Sequence, residues 1–390
     1  MKIILSLIAL VLLGLSADNT LAQHWRQYQH DGGHRGQSNV SINPPALAPV
    51  WSATGFIEPR ILGDTLYARK RESLSTRVAA FSLADGQEKW STLGDGVYFG
   101  NLAVAKDFLI LEGFNYNGGF SDVFVVLDAA TGQERYRIDL PLEFSFSEPN
   151  LVKEPGGFVA YCTDGGTLAA VQVGRDAANI LWTQTGDIGL SEATIVGDSV
   201  ITFGAGGTGS AFVRATGAKS VFFNGGPSLM SAPASANSRR GDFYVKLDYN
   251  SEGVTRVRAF HYNSNESIEL LWTRVTPFNQ SGGMVAIGSD GNLYAVGSGE
   301  IAIIDPNDGS TIKSIPFPFA NGSTPALTGN VLWVYSDKDT YAYDSSSLDL
   351  LATFPGSPGF NFGFDSVGAF VPGTAALNFK DRIQVYRENP

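Results

Sequence analysis

The sequence has one cysteine, Cys162, in 390 residues. It can form no internal disulfide, so a large buried apolar core must hold the fold together. Cys162 lies in the mostly apolar run "GFVAYCTDGG", where it reads as a small buried hydrophobe. A reactive thiol needs an electropositive, partly exposed setting, and nothing nearby supplies one. Basic charge is also scarce: 27 Lys and Arg stand against 38 Asp and Glu, a net charge of −11. No block of basic residues stands out, Arg239-Arg240 being only a pair, which argues against nucleic acid and anionic membrane surfaces as partners. After Leu15 no apolar run approaches the length of a membrane span. There is no Cys-x-x-Cys-His for a c-type haem and no Gly-x-Ser-x-Gly for a hydrolase elbow.

The chain opens on "MKIILSLIALVLLGLSADNTLAQ". Lys2 precedes an apolar stretch from Ile3 to Leu15, and a small-residue exit follows. This is the anatomy of a secretory signal covering residues 1–22, with a cut after Ala22. The mature chain, 23–390, is therefore expected to be secreted or periplasmic. Charged residues make up only 17%, aromatics 12%, and there are 45 glycines. Few charges with many glycines and aromatics predict short strands joined by tight turns, an all-β fold.

One unit recurs along the chain. "VAAFSLADGQEKW" (Val78–Trp90) aligns without a gap to "FVVLDAATGQERY" (Phe124–Tyr136). Weaker copies end at Trp182, Trp272, Ile315 and Phe354, and "AFVRATGAKSVFF", ending at Phe223, is the most degraded. Runs such as "FVVL" and "IAII" fit strands buried on both faces. The Asp, Asn and Gly that follow suit tight hairpins. The next strand is more polar and ends on a large apolar residue, as an outer, half-exposed strand would. Three or four strands every roughly 40–50 residues is the pattern of propeller blades. Trp51 in "LAPVWSA" takes the same closing role one interval earlier, and the C-terminal "FVPGTAALNFKDRIQVYR" has inner strands but no outer one. The expected protein is a single β-propeller of eight four-stranded blades, seven being the alternative, with the ring closed by the N- and C-terminal strands.

The repeat "LDAATGQERY" is similar to that of the pyrroloquinoline-quinone (PQQ)-like propellers, and "WRQYQHDGGHRGQSNVSINPPALAPVW" (Trp25–Trp51) resembles the lead-in to such rings. The resemblance covers nearly all of the mature chain. It implies two functions. One is that of a non-catalytic scaffold, like the propeller subunit of bacterial outer-membrane assembly machinery, although no lipid-bearing cysteine follows the signal here. The other is that of quinone-dependent dehydrogenases acting on alcohols or sugars, in which Ca²⁺ polarises the quinone, an Asp serves as base and some branches stack the quinone on an adjacent-cysteine disulfide. A lone Cys162 cannot make that disulfide.

Two polar groupings are candidates for a site. Glu58, Glu148 and Glu192 recur near blade starts in "FIEPR", "FSEPN" and "LSEAT", where inner strands would aim them toward an axial funnel. They are either solvated residues at its mouth or contacts for a cation or cofactor. His30, Asp31 and His34 carry metal-ligand chemistry, although Asp31 with Gly32, Gly33 and Gly36 equally reads as turns of the lead-in segment. "DPNDGS" (Asp305–Ser310) lacks the spacing and terminal Glu of a Ca²⁺ loop, and "GAGGTGS" (Gly204–Ser210) lacks the Lys-Ser/Thr of a phosphate loop. Both read as hairpins. "TDGG" at Thr163–Gly166 is only half of an Asp box. Asn39, Asn265, Asn279 and Asn321 head glycosylation sequons that matter only in a eukaryotic source. The loops "EGFNYNGGFSD" and "PGSPGFNFGFD" would offer aromatic anchors to a protein or glycan partner. The expectation is an exported monomeric binding protein without a cofactor. The alternative is a PQQ- and Ca²⁺-dependent oxidoreductase.

Overall fold

A computed structural model describes residues 36–389, apart from 74, 95, 116–120, 144–148, 155, 165, 175–176, 187, 189–192, 204–207, 225–229, 232–234, 238–242, 250–253, 264–266, 277–284, 298, 319–323 and 357–366. Among the described residues there is no α-helix, and one 3₁₀ turn, Pro44–Ala46, interrupts the strands. The strands form eight sheets. The first runs from Ile57–Leu62 to Glu88–Leu93, the second from Val97–Ala105 to Glu134–Glu143, and the third from Asn150–Glu154 to Ala178–Thr185. The fourth spans Thr194–Val196 to Lys219–Asn224, the fifth Met230–Ser231 to Ser267–Val275, and the sixth Ala286–Ile287 to Thr311–Phe317. In the seventh, Ala326–Thr328 to Leu350–Pro355, the short strand Gln37–Ser38 joins in parallel. The eighth takes Gly368–Val371, Thr374–Asn378 and Arg382–Glu388 from the C-terminus and Leu47–Thr54 from the N-terminal side.

Within each sheet, consecutive strands pair antiparallel and burial follows strand position. In the second sheet the middle strands Phe108–Asn115 and Ser121–Asp128 are buried on both faces. The fourth strand of the third sheet, Ala178–Thr185, is mostly exposed. The core is distributed between sheets. One hydrophobic cluster joins the first sheet to the second, and another the second to the third. Further clusters link third to fourth, fourth to fifth, fifth to sixth and sixth to seventh. The largest joins the seventh and eighth sheets to the first, through Trp333, Phe370 and Phe81.

The repeat motif performs one packing task at several of these junctions. Gly86, Gly132, Gly217 and Gly309 adopt φ between +70° and +76°. Each donates its N–H to the carbonyl four residues back, at 2.7–3.0 Å. This left-handed turn leaves a flat glycine surface on which the indole of the preceding sheet lies: Trp51 on Gly86, Trp90 on Gly132, Trp182 on Gly217 and Trp272 on Gly309. Each indole N–H then donates to a carbonyl of the same turn, that of Leu83, Ala129, Arg214 or Pro306, at 3.0–3.2 Å. Trp51 makes the contact from the eighth sheet to the first. In the seventh sheet the corresponding turn residue is Leu348, also left-handed at φ +55°. The last strand of the sixth sheet, Thr311–Phe317, has no indole, and Leu348 is buried in the cluster that joins the two sheets.

Each outermost strand also carries a register shift, in five of the eight sheets just before its closing aromatic residue, as between the pairs Ala170↔Trp182 and Val171↔Ile180, or Ala259↔Trp272 and Phe260↔Leu270. The extra residue bends an outermost strand and blunts it against edge-to-edge pairing.

Candidate functional site

The most constrained polar group is the one sequence candidate that falls among the described residues. Glu58 sits where the first strand of the first sheet is bulged, between the pairs Ile57↔Arg69 and Arg60↔Tyr67. Its backbone is left-handed, φ +55°, a conformation that costs a non-glycine residue about 1–2 kcal/mol. Its amide N–H donates to Asn378 Oδ1 of the eighth sheet at 3.2 Å, which holds that conformation. Its carboxylate is gripped at both oxygens by Arg69: Nε donates to Oε2 at 2.7 Å and Nη2 to Oε1. Glu58 is 4% exposed and Arg69 3%. Arg60, also buried, donates from Nη1 to the Pro59 carbonyl at 3.0 Å. Glu148 and Glu192 lie outside the described residues, as do His30, Asp31 and His34 and most of the two aromatic loops.

A second buried polar group spans the second and third sheets. The register places Glu112 opposite Phe124 and Phe114 opposite Asp122, so both carboxylates share one face of the second sheet. Both are buried. Cys162, from the second strand of the third sheet, is fully buried. Desolvation, reinforced by the nearby Glu112 and Asp122, pushes its thiol well above the ordinary range. A thiol in that setting is protonated at neutral pH and shielded from solvent. We expect Ellman's reagent to find no accessible thiol in the native protein and one per chain after urea unfolding; rapid native labelling would contradict this packing.

These groups define what chemistry the described residues support. No set of three or more His, Cys, Asp or Glu side chains among them gathers in a way that would hold a metal ion. Glu58, the one funnel candidate in view, is committed to Arg69. The sequence pointed to Glu58 but not to Arg69, Arg60, Asp122 or Asn378. Glu112 and Asp122 bound the stretch "EGFNYNGGFSD", which reads as a loop; the structure instead places both on paired strands of the second sheet.

The outer strands carry a different feature. Leu93 on the first sheet, Ile180 and Leu181 on the third, Leu270, Leu271 and Val275 on the fifth, Ile312 on the sixth, Leu350 on the seventh and Val50 on the eighth are exposed aliphatic side chains, Val275 to 63%. All lie on the outermost strand of their sheets.

No family model matches the chain, and no curated protein matches it. Solved structures do. BamB from Moraxella catarrhalis is 13% identical, with a TM-score of 0.66 over 87% of this chain and 99% of that one. A europium-containing methanol dehydrogenase is 13% identical, with a TM-score of 0.59 over 86% of each chain. A quinohemoprotein alcohol dehydrogenase from Comamonas testosteroni is 11% identical, with a TM-score of 0.62 over 94% of this chain and 80% of that one. At these identities the likeness speaks to fold alone, and it supports a PQQ-like β-propeller.

Proposed function

We propose that the chain is an exported, non-catalytic binding or scaffold protein built as an eight-bladed propeller. Residues 1–22 act as a signal peptide, and 23–390 form the ring in the periplasm or outside the cell. The eight-blade reading is supported by the eight sheets, and ring closure by the Trp51–Gly86 contact and the cluster spanning the seventh, eighth and first sheets. The observation that carries the functional reading is the set of exposed Leu, Ile and Val residues on the outer strands of six of the eight sheets, the first, third, fifth, sixth, seventh and eighth. Repeated on outer strands, such apolar side chains are available for contact with a partner. Their aliphatic character favours a protein over a glycan, which would call for aromatic platforms. No cofactor is needed for this role.

The second reading, a quinone- and Ca²⁺-dependent oxidoreductase, draws on the likeness to the two dehydrogenases. Native mass spectrometry with elemental analysis separates the two, using protein purified from its own export route. The expected result is a polypeptide mass without quinone or Ca²⁺, and no uptake when both are added. A stoichiometric quinone with Ca²⁺ would replace the scaffold reading with the enzymatic one.

A further inference from the structure

We propose that a cleft between the second and third sheets binds a small amphipathic monoanion of the aryl- or alkyl-carboxylate class. This goes beyond the scaffold reading and does not depend on it. The cleft lies at the hairpin end of the strands, opposite the Glu58 end. Its volume is about 520 Å³, and its walls include Phe108, Phe158, Val173 and the glycines 156, 157 and 174, with Lys106, Asp107 and Arg135 at the rim. That volume falls within the range of ordinary small-molecule sites.

A neighbouring cleft of about 480 Å³ shares Lys106, Asp107 and Arg135 and lies at the first-to-second junction, where Trp90 does cover Gly132, so a missing indole alone does not open such a space. The junctions from the eighth sheet to the first, first to second, third to fourth and fifth to sixth are each covered by an indole seated on a left-handed glycine. The second-to-third junction has Tyr136 at the closing position, and the third sheet turns differently there, with Gly174 N–H donating to the Ala177 carbonyl. Facing this turn, Gly156 and Gly157 have φ of +94° and +147° in succession. A Cβ on Gly157 would stand 2.5 Å from the Val173 carbonyl, so only glycine allows that approach.

The rim supplies the charge. Arg135 is held against Asp128, its Nε donating to Oδ2 at 3.1 Å, while its guanidinium lies 5.0 Å over the Phe108 ring. It forms a fixed cationic edge to an apolar floor. Lys106 occupies the hairpin turn at φ +44°, a position where glycine or asparagine would be less strained. Its ammonium is 3.7 Å from Asp107, beyond hydrogen-bond distance, and the side chain is 76% exposed. A strained backbone that presents a cation at the mouth of an apolar cleft is a reason to look for a ligand. An apolar floor with an ammonium above it matches a ring or short chain ending in one carboxylate.

The test is titration calorimetry of the mature protein with 3-phenylpropionate, alongside acetate and the neutral 3-phenylpropanamide. Hydrogen exchange with and without the ligand locates the site. We expect saturable binding of the acid with a Kd on the order of 1 mM, at least about tenfold weaker binding of acetate and the amide, and protection confined to the hairpins around Lys106 and Gly157. Lys106→Gly removes the cation and relieves the left-handed strain. It should melt no lower than the parent and lose about tenfold in affinity; Lys106→Asn is the second variant with the same expectation. Absence of saturation by 3-phenylpropionate, equal binding by both Lys106 variants, or protection elsewhere would overturn the proposal.

Discussion

Replacing Gly132 with alanine is expected to destabilise the protein by about 4 kcal/mol, a large share of a typical domain's stability. Three costs combine. Alanine at φ +71° is strained by about 1–2 kcal/mol. Its Cβ would stand 2.4 Å from Cε3 of Trp90, so the indole must move, and overpacking of this kind costs about 1–3 kcal/mol. A displaced indole also gives up its 3.0 Å bond to the Ala129 carbonyl, worth about 1 kcal/mol. Gly63 is the control. Its φ is +61°, but a Cβ there meets nothing within 4 Å, so Gly63→Ala should cost only the backbone part, about 1 kcal/mol. Urea midpoints at constant m-value measure both. Equal losses at the two positions would mean that the indole contact contributes nothing beyond turn geometry. Leucine serves naturally at position 348, which is left-handed but meets a sixth-sheet strand without an indole, and this supports the role assigned to the indole.

The same contact explains how much of the fold could be read from the sequence. The Gly of "SLADGQEKW" and the Trp that ends it are visible as a repeat because the first sheet offers its glycine to Trp51 and its indole to Gly132, and two further junctions are each marked by one such glycine–indole pair, split between neighbouring copies. The degraded copy "AFVRATGAKSVFF" keeps its glycine, Gly217, because Trp182 lies on it. Trp51 was assignable by interval alone, and its strand does pair with Arg382–Glu388 at the far end of the chain. Cys162 read as buried because its neighbours are apolar, and it is buried. The polar interior was much less legible. Arg69 sits in "LYARKRE", where alternation alone gives no reason to prefer it to Arg71 as the buried cation. That choice depends on the bulge at Glu58 and on the amide bond to Asn378, which is 320 residues away. The cleft at the second-to-third junction left no mark in the sequence, because its walls come from hairpins of two different sheets.

Arg69→Met should be the other large loss, about 3–5 kcal/mol, because it leaves the Glu58 carboxylate buried without its guanidinium. The pair itself is not the source of that number, since bringing two charges out of water offsets much of their attraction. The double variant Arg69→Met/Glu58→Gly is therefore expected to regain most of the stability: it removes both charges and places glycine where φ is +55°. Equilibrium unfolding of the parent, Arg69→Met and the double variant tests this, and a double variant no better than Arg69→Met would show that the pair is itself a net stabiliser. The same set probes the enzymatic reading. A carboxylate held by Arg69 at both oxygens cannot also serve a cation, so any Ca²⁺ role for Glu58 requires that pair to open. If such a role exists, millimolar Ca²⁺ should raise the melting temperature of Arg69→Met more than that of the parent, by linkage to the freed carboxylate. If Glu58 only anchors the first blade to Asn378 of the eighth, Ca²⁺ should leave both unchanged, and that is the result we expect.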